Sequence, residues 1–147
     1  MPRPFFATIT VYLVIVLIAA APQPLRAQEN LRAQLFGGTD SLMVRVKERQ
    51  ADILAPASFK KAMSYYNDAS GEFKEGGQLE DMTEELRNAS AYFAKALDVA
   101  KLGEVAFSSA LAARTDALSA GAPTQQPELW KKAEEKFNRA AADLEDG

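Results

Sequence analysis

The chain has 147 residues, 17 Lys and Arg against 20 Asp and Glu, a net charge of −3, and neither His nor Cys. That composition excludes histidine-based catalytic triads, thiol nucleophiles, disulfides and the usual zinc sites. An acidic balance without a basic patch also argues against nucleic acid, whose binding rests on neutralising phosphates.

Residues 1–27 read as a secretory signal. Arg3 supplies the positive start, residues 5–21 form an almost unbroken apolar run, and residues 22–27 are a polar stretch ending in Ala27, the expected cleavage point. The rival reading is an uncleaved anchor, because the run sits at the short edge of the roughly 17–25 residues that span a bilayer. Export is expected either way. Cleavage would leave residues 28–147, enough for one small domain. Loss of Arg3 and Arg26 would make that domain more acidic by two charges. A lipidated N-terminal Cys is excluded, so any membrane attachment is expected through an uncleaved signal or a partner.

The fold expected is all-α. Residues 28–38 form a short lead-in closed by Gly37 and Gly38, after which Thr39 or Asp40 can cap a first helix over 41–54. Pro56 ends it, since the residue before a proline avoids helical geometry. A second helix over 57–75 carries the stripe Phe59, Ala62, Tyr66, Ala69 and Phe73, and stops at Gly76 and Gly77. The third, over 79–119, holds Leu79, Met82, Leu86, Ala89, Phe93, Ala96, Ala100, Gly103, Phe107 and Ala110 at alternating spacings of three and four. Such a pattern predicts one long helix packed antiparallel or coiled-coil-like against its neighbours. Gly103 in mid-helix costs about 1 kcal/mol relative to Ala, which a close helix crossing would offset. Residues 121–126 read as a linker and 128–146 as a fourth helix.

The second and fourth helices are copies. Pro56, Lys60, Lys61, Ala62, Asn67, Ala69 and Gly76 recur as Pro127, Lys131, Lys132, Ala133, Asn138, Ala140 and Gly147, at a constant offset of 71 positions. Phe59, Tyr66 and Phe73 meet Trp130, Phe137 and Leu144. An internal repeat of this kind predicts stacked helical units. In the first copy a long helix follows Gly76; in the second, Gly147 is the last residue. The expected architecture is an antiparallel helical hairpin or bundle with a truncated repeat, preceded by a signal-peptide helix. The fourth helix is expected to be the least protected, with self-association through its apolar stripe.

No catalytic, cofactor-binding or metal-binding residue emerges. The glycine pairs lack the spacing of a phosphate loop and read as helix punctuation. Glu80, Asp81, Glu84 and Glu85 suit a solvated face complementing the helix dipole better than paired catalytic carboxylates. Lys60, Lys61, Lys131 and Lys132 flank the stripes and are candidate partner contacts, or simply solubilising charges. Tyr66 and Trp130 fall on the stripes and read as packing residues. Tyr65 and Tyr92 lie off them and are the better interaction candidates.

The runs Ala51-Asp-Ile-Leu-Ala-Pro56-Ala-Ser-Phe59, Ala91-Tyr-Phe-Ala-Lys-Ala-Leu97, Leu111-Ala-Ala-Arg-Thr-Asp-Ala-Leu118 and Gly121-Ala-Pro with Pro127-Glu-Leu-Trp130 resemble a bacterial family. It is the helical N-terminal region of cell-envelope proteins of the outer-membrane-protein-A-like family, some of which carry a C-terminal peptidoglycan-binding domain. The resemblance spans residues 28–147, involves packing motifs only and carries over no functional residue. It implies a Gram-negative periplasmic or outer-membrane-associated location, with protein partners or cell-wall polymer as the contacts. The expectation is a non-enzymatic periplasmic scaffold or adaptor, the N-terminal fragment of a longer wall-associated protein and without cofactors. The alternative is a small-molecule or glycan-binding module with a groove beside the long helix.

Overall fold

A computed structural model describes residues 23–147, which are helical apart from short connections and contain no strand. The expected signal helix lies outside the described residues. The chain divides into two compact units, residues 1–34 and 35–147. In the first, residues 23–34 are helical; all packing given below lies in the second.

Among the described residues, seven helices follow in order. They are α1 (Gln23–Glu48), α2 (Ala51–Leu54), α3 (Pro56–Glu75), α4 (Leu79–Ala106), α5 (Ser108–Ser119), α6 (Ala122–Gln125) and α7 (Pro127–Asp146). Gly76, at φ 75°, stops α3, and the Gly77 amide donates to the Glu72 carbonyl at 2.7 Å. Only a residue without Cβ takes that turn without strain. The chain reverses there, and α4 returns along α3 with Phe93 against Phe59 and Tyr92 stacked on Tyr65. The expected stripe is the seam: Met82, Leu86, Ala89, Phe93, Ala96, Ala100 and Gly103 are all buried. Small residues there let the backbones approach while Phe93 fills the space between them. Helix α2 packs on α4, where Gly103 faces Leu54; a Cβ on Gly103 would stand 3.0 Å from Leu54 Cδ2. The expected close crossing is therefore present.

Three expectations are corrected. Gly37 and Gly38 do not end a lead-in; α1 runs through them and stops at Glu48, so the helix expected over 41–54 is two. Two glycines in a helix cost about 2 kcal/mol together. Phe36 and Thr39 on either side are buried, Phe36 edge-on to both Tyr66 and Phe73. The Tyr66 hydroxyl also donates to Asp40 Oδ1 at 2.6 Å. Burying one Phe is worth about 1.5–3 kcal/mol, comparable with the cost of the glycines.

The helix expected over 79–119 breaks at Phe107, whose φ of −111° and ψ of 18° leave helical geometry. Hydrogen bonding crosses the break, from the Phe107 amide to the Gly103 carbonyl and from the Leu111 amide to the Phe107 carbonyl, both 2.8 Å. A periodic stripe cannot report so slight an interruption. The bend lets Phe107 meet Phe137 edge-on at 5.7 Å and Arg114 reach Glu134 at 2.8 Å. Finally, the linker expected over 121–126 contains a full turn of helix, α6.

That turn shows how far the repeat extends. Gln50 and Gly121 both adopt left-handed geometry, at φ 51° and 75°. Each begins a four-residue helix, α2 or α6, ended by Ala55 or Gln126 at nearly the same backbone angles. The turn bonds match pair for pair: Leu54 amide to Gln50 carbonyl and Gln125 amide to Gly121 carbonyl, at 3.0 and 2.9 Å. Further back, the Phe36–Tyr66 ring pair recurs as Phe107–Phe137, both at 5.7 Å. The structural unit thus covers residues 36–76 and 107–147, twice the length legible in sequence.

Candidate functional site

The sequence-predicted candidates divide. Lys61, Tyr65 and Tyr92 come together where α3 faces α4. The two rings stack at 5.7 Å and 17°, and the Lys61 ammonium lies 4.9 Å from the Tyr92 ring centre. The Tyr92 side chain, by hydrogen bonding first and by charge second, raises the Lys61 pKa. This is a cation held over an aromatic face at the surface of the hairpin. Lys60, Lys131 and Lys132 are exposed and join no such cluster.

The acidic group at the start of α4 is not uniformly solvated. Glu80, Asp81 and Glu84 are exposed, whereas Glu85 is half-buried and turned toward α3. Its Oε2, like that of Glu72, is enclosed and has no hydrogen-bond partner among the described residues. Burial first, and then Asp68, Glu72, Glu84 and Asp81, raises the Glu85 pKa. No group of three or more His, Cys, Asp or Glu side chains among the described residues is arranged to hold a metal ion.

A concavity does lie beside the stretch expected to be one long helix, although the sequence did not say which residues would line it. Helices α5 and α7 enclose an apolar groove of about 420 Å³, lined by Phe107, Ala113, Arg114, Trp130, Ala133 and Phe137 among others. Arg114 forms two hydrogen bonds to Glu134, of 2.8 and 3.0 Å, and its guanidinium lies 5.6 Å from the centre of the Trp130 ring. Hydrogen bonding to Glu134 raises the Arg114 pKa, and the charge-assisted pair supports one groove wall. Trp130, read from its stripe as a packing residue, is only half-buried. Ala110, Ala113 and Ala133 are exposed. In the first copy the matching Thr39 and Ala62 are buried, and Leu42 is half-buried.

One end of α7 is nonetheless well tied. Ala141 is fully buried, and Glu145 accepts hydrogen bonds from the Ala57 and Ser58 amides at 2.9 and 2.6 Å. A carboxylate there satisfies amides that the first turn of a helix leaves unpaired, and complements its dipole. The last turns of α7 are thereby fastened to α3, while the first turns border the groove. Compared with the models of known protein families, with curated proteins and with solved structures, the chain matches none. No helix among the described residues is long and apolar enough to cross a membrane.

Proposed function

We propose that this chain is a non-enzymatic helical scaffold or adaptor of the Gram-negative cell envelope, exported by its N-terminal segment and built on an antiparallel hairpin within a helical repeat. The observation that carries the reading is the contrast between the two copies of the unit. The first buries its aromatic and alanine face beneath α4; the second presents the same face as an open apolar groove. Apolar grooves bordered by charge are the usual form of a surface that receives another polypeptide. The resemblance to helical regions of outer-membrane-protein-A-like envelope proteins supplies the location.

A glycan- or small-molecule-binding module is the second reading, favoured by Trp130, Phe107 and Phe137 lining one concavity. Photo-crosslinking in intact cells separates the two. A photoreactive residue in place of Ala133 is expected to join the chain to a polypeptide in the periplasmic or outer-membrane fraction. The same residue in place of Lys60 should crosslink far less. Recovery of the chain in the cytosolic fraction, or crosslinks at 133 to saccharide alone, would overturn the adaptor reading.

A further inference from the structure

We propose that the groove between α5 and α7 receives one amphipathic helix of a partner polypeptide. Its inner face would repeat the Leu86, Ala89, Phe93 and Ala96 stripe of α4, with a carboxylate where α4 has Tyr92. This rests on the adaptor reading and specifies the partner's chemistry.

The first copy of the unit displays the occupied form. Phe36, Ala62, Tyr66 and Ala69 form one wall of the core, and Leu86, Ala89, Phe93 and Ala96 of α4 complete it. Thr39 and Ser90 share a hydrogen bond of 2.9 Å across that interface. In the second copy Phe107, Ala133, Phe137 and Ala140 hold the equivalent places, with the aromatic pair at the same separation. The same shape therefore fits the same kind of helix, one whose small residues allow close approach around a central aromatic.

Two differences define how the partner departs from α4. Met43 and Met63 are replaced by Arg114 and Glu134, which pair with each other so that their charges cancel. At the rim, Lys61 and Tyr65 of the first copy clasp Tyr92. Their counterparts are Lys132 and Lys136, both exposed, with Arg139 and Glu135 beside them. A tyrosine would lose its stacking partner there, whereas a carboxylate would stand between two ammonium groups. Charge of this kind contributes register and specificity more than raw affinity.

Trp130 is the only tryptophan of the chain and lines the groove, so its emission reports occupancy. The probes are synthetic peptides of residues 79–106, which contain no tryptophan. They carry the native sequence, Phe93→Ala or Tyr92→Glu, and each is added to the full chain. Expected are a blue shift of Trp130 with the native peptide and at least tenfold weaker binding for Phe93→Ala, as for a central aromatic anchor. The Tyr92→Glu peptide should bind about fivefold tighter at low salt, and the advantage should vanish in a Lys132→Ala, Lys136→Ala chain. Ala133→Glu, at an exposed position, should abolish binding while leaving the helical circular dichroism unchanged.

Equal binding of the native and Phe93→Ala peptides, or binding that survives Ala133→Glu, would overturn the proposal. So would sedimentation showing a dimer that Ala133→Glu separates, since a second copy would then fill the groove. If the peptides fail to bind a monomer but residue 133 still crosslinks to envelope polypeptides, the adaptor reading stands and only the helix assignment falls.

Discussion

Glu145, near the end of α7, accepts the backbone amide of Ser58, 87 residues earlier in the chain, at 2.6 Å and so caps the first turn of α3. The contact ties the second copy of the unit to the first and is nearly enclosed, with Glu145 only 9 % exposed. Removing a cap costs about 0.5–2 kcal/mol, and more when buried amides are left unpaired. Glu145→Ala is expected to lower stability by about 2 kcal/mol in urea unfolding, and Glu145→Gln, which keeps one acceptor oxygen, by about half as much. An unchanged midpoint for Glu145→Ala would mean that water replaces the carboxylate without loss.

Phe36 and Phe107 occupy one position in two copies, but the first is fully buried and the second half-buried. Phe36→Ala should cost about 3–5 kcal/mol, as should Phe93→Ala in the seam, because each leaves a cavity. Phe107→Ala should cost less, about 1–2 kcal/mol, since part of its ring already meets solvent. Equal losses at 36 and 107 would show that the second copy is as well covered in solution as the first.

Gln50 holds left-handed geometry where its counterpart is Gly121. A side chain there costs roughly 1–2 kcal/mol, partly offset because glycine loses more entropy on folding. Gln50→Gly should therefore stabilise the chain by about 0.5–1 kcal/mol. The reverse exchange, Gly121→Ala, should cost about 1–2 kcal/mol. Its new Cβ would also stand 3.1 Å from Gln125 Nε2, which donates to the Ala120 carbonyl. Thermal melts of both variants read the difference directly.

Gly103 offers a contest between helix propensity and packing. Alanine would gain about 1 kcal/mol in propensity. Its Cβ, however, would stand 3.0 and 3.3 Å from Leu54 Cδ2 and Cβ, and Leu54 is fully buried. Overpacking of this sort costs about 1–3 kcal/mol, so Gly103→Ala should lose on balance. A raised melting temperature would show that α2 slides off α4 freely.

Glu85 gives a pH dependence of definite sign. Burial first, and its acidic neighbours second, raise its pKa in the folded state. Between the ordinary carboxylate value and the raised one, the folded chain binds more protons than the unfolded chain. Its contribution to stability therefore falls as pH rises through that window, and is least favourable above it. Glu85→Gln should melt higher than the parent at neutral pH, and the two curves should converge once pH drops below the ordinary carboxylate range. A difference that persisted at acid pH would point to packing instead of charge.

Helical class, the proline starts at 56 and 127, the stop at Gly76 and the seam from Met82 to Gly103 were all legible in sequence. Each depends on residues within a turn or two along one helix: a missing amide, a missing Cβ, or a spacing of three and four. The continuation of α1 through Gly37 and Gly38 was not legible, because Phe36 meets Tyr66 and Phe73 only after α3 has folded beside it. Nor was the break at Phe107, where hydrogen bonds bridge the bend and leave the periodicity intact. The groove depended most on tertiary structure. Ala62 and Ala133 lie at the same step of matching stripes, one buried and the other exposed, so local pattern cannot distinguish a wall that is covered from one that is open. That difference is decided by α4, which lies along α3 of the first copy while the equivalent face of α7 stays exposed at Ala133, because burial belongs to the neighbour a face acquires and not to the face itself.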